Sequence, residues 1–149
     1  MASSKGPWES RTLDLIRPTV AFYHKCADRP AAGRARLDLI GATKGDRPFI
    51  IEVKQAPERV RTQDWLSWKP TADATILSPL QRVELIRAVE EGVVNVWVCV
   101  GIKNILFAFD FERMEANYGP ENPWPLQAAR HYFPWTGPKG WKGYTWNWI

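Results

Sequence analysis

Three charged residues stand in or beside apolar runs where charge is expensive. They are Asp38 in Arg36-Leu37-Asp38-Leu39-Ile40-Gly41, and Glu52 and Lys54 in Phe49-Ile50-Ile51-Glu52-Val53-Lys54. An ionised group in an apolar sheet is unfavourable unless it is paired or bound to a metal. Side chains alternate faces along a strand, so Glu52 and Lys54 point the same way. If the two runs pair as a hairpin, Asp38 comes beside them. Two carboxylates and a lysine so placed suit a hard divalent cation, with Lys54 as base or charge stabiliser. A Glu-x-Lys triplet also arises by chance, and same-face Glu/Lys pairs are ordinary at solvated strand ends. Three features set this one apart. The run before Glu52 is apolar on both faces, as in an interior strand. Asp38 occupies a run of a kind in which Asp is depleted. The connection around Lys44-Gly45-Asp46 is short enough for a hairpin.

The elements that must hold these residues are legible to different degrees. A helix is predicted from Trp8 to about Arg17, with Leu13 and Ile16 on its apolar side and Pro18 opposing continuation. Thr19 to Cys26 reads as a first strand, and the loop after it contains Pro30 and Gly33 among arginines. Strands follow at 36–43 and 48–55. Residues 56–75 form a mixed connection in which Trp65 and Trp68 predict a short helix, either covering the core or stacking on an unpaired base. Ser78, Pro79 and Gln81 compose an S-x-x-Q capping box, opening a helix with a Val83, Ile86, Val89 stripe and a stop at Gly92. Val93–Ile102 and Ile105–Phe111 read as strands joined by a Lys103-Asn104 turn. From Met114 onward prolines and tryptophans dominate, with Trp124, Trp135, Trp141, Trp146 and Trp148. Such a chain cannot be one long helix, and its aromatics are too many for a disordered tail. It is expected to pack on the sheet or across a dimer interface; a DNA-contacting arm using Arg130, Lys139 and Lys142 is the other possibility.

With 149 residues, 45% of them hydrophobic and 24% charged, the chain has room for one core and an ordinary globular composition. No apolar run reaches the length of a membrane helix, and Met1-Ala2-Ser3-Ser4-Lys5 has no signal-peptide core, so a cytoplasmic protein with no membrane partner is expected. Cys26 and Cys99 have no zinc spacing and read as reduced, packed thiols. Two histidines rule out a His-rich centre and leave an oxygen-ligand site as the natural kind. The net charge of +4 favours a polyanionic partner. Lys25, Arg29, Arg34 and Arg36 lead up to Asp38, while Lys44, Arg47, Arg59 and Arg61 surround the Glu52 strand. Cations gathered about metal-binding carboxylates are what a phosphodiester substrate would require, and Lys25, Arg29, Arg34, Arg36, Arg59 and Arg61 are the candidate DNA contacts.

The Asp38 and Glu52-Val53-Lys54 pattern resembles the PD-(D/E)XK nuclease superfamily, and within it the Holliday junction resolvases of the archaeal and bacterial RecU types. Lys5-Gly6-Pro7-Trp8-Glu9 is similar to the Lys-Gly then Glu opening of the archaeal enzymes. The helix after Leu77-Ser78-Pro79-Leu80-Gln81 and the strands at 96–102 and 105–111 follow the family's order, so the resemblance spans roughly residues 5 to 111. Leu37 stands where the superfamily name has proline, and Glu9 lies one residue nearer the glycine than in the archaeal pattern. Gln81 matches a glutamine on the family's corresponding helix, although the capping box accounts for it without catalysis.

The resemblance implies an α/β fold with a restriction-endonuclease-like core, a central mixed sheet flanked by helices. It would comprise a nuclease core over 1–113 and an aromatic-rich C-terminal extension over 114–149. It implies a Mg²⁺-dependent endodeoxyribonuclease, Mn²⁺ substituting, that resolves four-way junctions as a homodimer and leaves a 5′-phosphate. Asp38, Glu52 and the carbonyl of Val53 would hold the metal and Lys54 would serve the attacking water. Glu9 would be an outer or second-metal ligand, a role for which the helix dipole is an equal explanation. The rival expectations are a restriction-like or repair endonuclease on other duplex or branched DNA, and a non-catalytic DNA-binding protein with a nuclease-like fold.

Overall fold

The computed structural model describes residues 7–25, 38–55, 65–66, 77–119, 124–137, 140–141 and 143–148. Its centre is a mixed six-stranded sheet flanked by helices. The strands are β1 (Val20–Lys25), β2 (Leu39–Thr43), β3 (Pro48–Gln55), then β5 (Asn95–Ile102), β6 (Ile105–Asp110) and β8 (His131–Pro134), lying side by side in that order. Two-residue strands β4 (Trp65–Leu66) and β7 (Trp124–Pro125) pair with each other. Among the described strands only β3 and β5 run parallel. Parallel neighbours need a crossover, here through α2 (Pro79–Glu90).

Alternation along the strands sorts the interior into two cores. Ile51, Val53, Trp97 and Cys99 face the first helix, α1 (Trp8–Ile16), together with Leu13 and Ile16. Val96, Val98, Val100 and Phe109 face α2 and α3 (Phe111–Tyr118). Trp8 fixes α1 by lying on Gly101. A Cβ there would stand 2.2 Å from the indole, so β5 must offer a bare backbone at that point. Each large side chain buried this way contributes about 1.5–3 kcal/mol.

The helix starting at Pro79 has the capping box expected of it: Gln81 N–H donates to Ser78 Oγ (3.1 Å) and Ser78 N–H donates to Gln81 Oε1 (3.0 Å). Its buried face differs from the expected stripe. Leu85 and Ala88 are buried, whereas Val83 is 48% exposed. The helix packs on two neighbours at once. Ile86 and Val89 turn sideways to Phe111 on α3, and Arg82 grips Glu115 at 2.9 and 2.6 Å, which rotates Val83 outward. Trp65 belongs to a strand, not to the short helix its spacing with Trp68 suggested. Its backbone pairs with Pro125, a partner too distant in sequence for local periodicity to show. Trp68 lies outside the described residues.

The C-terminal segment is woven into the core. The expected boundary at residue 113 falls inside α3, and β8 extends the sheet beyond β6. Trp124, Trp141 and Trp146 are buried. The indole N–H of Trp141 donates to Arg11 O (2.5 Å) and that of Trp148 to Thr19 Oγ1 (2.8 Å), so the segment returns to α1 and to the turn that follows it. Lys139 and Lys142, the cations of the alternative arm, lie outside the described residues. Among the described residues no helix is long and apolar enough to cross a membrane.

Candidate active site

The β2–β3 hairpin sets the register that brings the acids together. Residues 44–47 close it with Asp46 in the left-handed region (φ 62°), Asp46 N–H donating to Thr43 O and Thr43 N–H to Arg47 O. From that turn Ala42 falls opposite Pro48, Ile40 opposite Ile50 and Leu39 opposite Ile51. The next position out sets Asp38 against Glu52. Opposed residues share a face, so both acids project to the side of α2, away from α1. Asp38 sits at the entrance of β2, one residue before the strand begins, instead of inside it.

At this end side chains continue the ladder that the backbones leave off. Asp38 Oδ2 accepts the N–H of Val53 at 2.8 Å, and Glu52 Oε1 accepts the N–H of Asp38 at 3.2 Å. Gln81 Nε2 donates to Glu52 Oε2 at 2.6 Å, and Lys54 Nζ stands 3.4 Å from the same oxygen. Asp38 is 3% exposed and Glu52 0%. Burying a carboxylate costs several kcal/mol, which only charge-assisted partners of this kind offset. The N-terminal turn of α2 adds its positive end to the same neighbourhood.

Gln81 is the residue whose part here the capping box concealed. The box occupies its Oε1 with Ser78 N–H, which leaves the amide nitrogen to face Glu52. The signal was topological. A crossover helix begins at the carboxyl ends of the parallel strands it joins, where sites in α/β sheets gather. The first turn of the helix after the Glu52 strand is therefore where a partner for Glu52 belongs.

Glu9 is placed elsewhere. It lies on α1, which packs against the opposite face, and its Oε1 is 3.3 Å from Nζ of Lys25. Lys25 pairs with Leu39 and so shares that α1 face. Among the described residues no three His, Cys, Asp or Glu side chains come together as a metal-holding group. Lys25 thus stands at the same strand end as Asp38 but on the reverse side. Arg29, Arg34, Arg36, Arg59 and Arg61 lie outside the described residues. Lys44 and Arg47 are exposed at the hairpin turn, at the far end of the strands from the acids.

What remains together is Asp38, Glu52 and Lys54. The two acids offer hard oxygens, to which the carbonyl of Val53 can be added. In a strand a residue's N–H and C=O project to one side, and the N–H of Val53 already reaches Asp38. Two carboxylates and a carbonyl match the habit of small divalent cations that keep several waters. No protein-family model matches the chain, and comparison with curated proteins and with solved structures finds no match.

Proposed function

We propose that this chain is a divalent-cation-dependent endonuclease acting on branched DNA, four-way junctions above all. One observation carries the reading: two buried acids from neighbouring strands open to the same face, with the Lys54 ammonium 3.4 Å from the inner one. The order of an antiparallel β1-β2-β3 unit followed by a parallel β5 supports a restriction-endonuclease-like core. It agrees with the resemblance to PD-(D/E)XK nucleases.

Asp38, Glu52 and the Val53 carbonyl would hold Mg²⁺, or Mn²⁺ in its place. Such an ion, when bound, acidifies a water and neutralises charge on a phosphate oxygen. The protein's own groups do the rest. Gln81 and the Asp38 peptide fix the plane of the Glu52 carboxylate, so that it needs no reorganisation as charge moves. Lys54 presents its ammonium beside that carboxylate, where it would meet the attacking water or the negative charge growing on the phosphoryl oxygens. The arginines at 29, 34, 36, 59 and 61 would neutralise flanking phosphates, whereas Lys25, turned to the α1 face and paired with Glu9, would not. A two-fold homodimer would present two such sites to opposed strands of a junction.

The same hydrogen bonds favour one other reading. Asp38 and Glu52 each hold the other's strand, which is also how a purely structural latch would be built. The protein would then be a DNA-binding relative of nucleases without their chemistry.

Cleavage of an immobile four-way junction and of a matched linear duplex with Mg²⁺ decides among these. The wild type is expected to cut the junction, and Asp38→Asn or Glu52→Gln to lose on the order of 100-fold or more. Undiminished cutting by a folded Asp38→Asn protein ends the proposal. Equal cutting of both substrates points to a restriction-like or repair enzyme. Binding of either without cutting points to the latch.

A further inference from the structure

Strand β1 contains an irregularity that decides what lies beside the carboxylates. Val20 stands opposite Thr43, yet Phe22 stands opposite Ala42, so Ala21 is the extra residue of a bulge. Opposed residues share a face. Val20 lies in the α1 core, and in a regular strand Phe22 would follow it there. The extra residue turns Phe22 and His24 over, onto the face of Ala42, Ile40 and Asp38. The approach of the strands is tight at this point. A Cβ on Gly41 would stand 2.2 Å from Phe22 O and 2.9 Å from the Phe49 ring, so glycine is what admits the bulge.

The result is an aromatic strip left open. Phe22 is 65% exposed, Ile40 is 38% exposed, and His24 is exposed as well. The two helices on this face pack chiefly on β5 and β6, and among the described residues Phe22, His24 and Ile40 remain exposed. From Ala42 to Asp38 the strip runs about 13 Å, four residues at strand spacing. Exposed Lys44 and Arg47 mark one end, and Lys54 with the acids marks the other. Exposed rings set between cations suit a strand of nucleotides, whose bases stack while its phosphates pair.

We propose that Phe22 and His24 form a stacking platform for an unpaired nucleobase of the strand whose phosphate reaches Asp38 and Glu52. The position of that phosphate rests on the nuclease reading; the stacking does not. The substrate class then narrows to DNA with unpaired nucleotides beside the cut, as at a junction's branch point.

The test uses the full-length chain, a fluorescent oligothymidylate and a matched blunt duplex, with Ca²⁺ in place of Mg²⁺ so that cutting does not intrude. Phe22→Ala is expected to weaken oligothymidylate binding about 5- to 100-fold, the range for losing one stacked base. Phe22→Trp should restore it, and duplex binding and the melting midpoint should stay as in the wild type. The platform is refuted if the wild type does not bind oligothymidylate, if Phe22→Ala binds it as well as the wild type does, or if the substitution changes only the oligomeric state in sedimentation. Cutting assays separate the two claims. Phe22-dependent binding by a protein that never cuts DNA sinks the nuclease and keeps the platform. Cutting that needs Asp38 but is indifferent to Phe22 does the reverse.

Discussion

The two faces of the sheet are covered differently. On the α1 side, Trp8 lies on Gly101, Trp146 packs edge-on to Trp97 with centroids 5.0 Å apart, and Trp148 covers Phe49 at 4.9 Å. The charged pair on that side, Glu9 with Lys25, sits at the rim. On the other side the two helices pack chiefly on β5 and β6, and among the described residues the buried Asp38 and Glu52, with Lys54 beside them, lie at the edge of that cover. The same alternation along β3 that buries Ile51 and Val53 presents Glu52 and Lys54. The difference teaches that Trp141, Trp146 and Trp148 close one face completely enough for the other to carry unfavourable groups.

The largest break in this comparison is removal of the closing segment. Truncation after Gly119 deletes β8 and the tryptophans at 124, 141 and 146. The loss should exceed the whole stability of a domain this size, about 5–15 kcal/mol, and cooperative unfolding in circular dichroism should vanish. A DNA-contacting arm would instead leave the melt intact. Trp146→Ala is the milder form, expected to cost about 3–5 kcal/mol by urea unfolding.

On the charged face the effects are smaller and separable. Gln81→Ala removes both the cap and the donor to Glu52, and should destabilise by about 1–3 kcal/mol. Gln81→Glu keeps an acceptor for Ser78 N–H but sets a carboxylate against Glu52. If both variants unfold at the same urea concentration as the wild type, Gln81 does not support the pair.

The smallest effect concerns His131, stacked on Trp97 at 5.7 Å with Nε2 3.0 Å from Asn147 O. Burial lowers its pKa, outweighing the rise from that backbone bond, and the Arg130 charge adds to the lowering. The folded protein therefore favours the neutral ring. Its contribution is fully present above the unfolded value near 6.5 and is lost as pH falls through the lower folded value. The stability gap between wild type and His131→Gln should shrink as pH drops from about 7 to 5, measured by urea midpoints; a constant gap would show that His131 does not titrate with folding.

Much of this was legible in sequence because it is local. The bounds of the Pro48–Gln55 strand, the capping box at Ser78 and the hairpin pairing follow from alternation and turn chemistry within a few residues. The same-face placement of Asp38 and Glu52 followed once the hairpin was assumed. What escaped depended on distant partners. The rotation of α2 came from α3 and Glu115, the strand at Trp65 from Pro125, and Gln81's second bond from a strand nearly thirty residues earlier. The Ala21 bulge left no periodic trace either, since Val-Ala-Phe-Tyr reads the same with or without it.

Cys99 lies at the middle of β5, inaccessible to solvent, and burial pushes its thiol well above the usual range for cysteine. As a neutral thiol sealed in the α1-side core it cannot react with an alkylating reagent until the central strands part. In a Cys26→Ser background its labelling rate becomes a clock for global opening, by which the seal on the α1 face can be timed in the intact molecule.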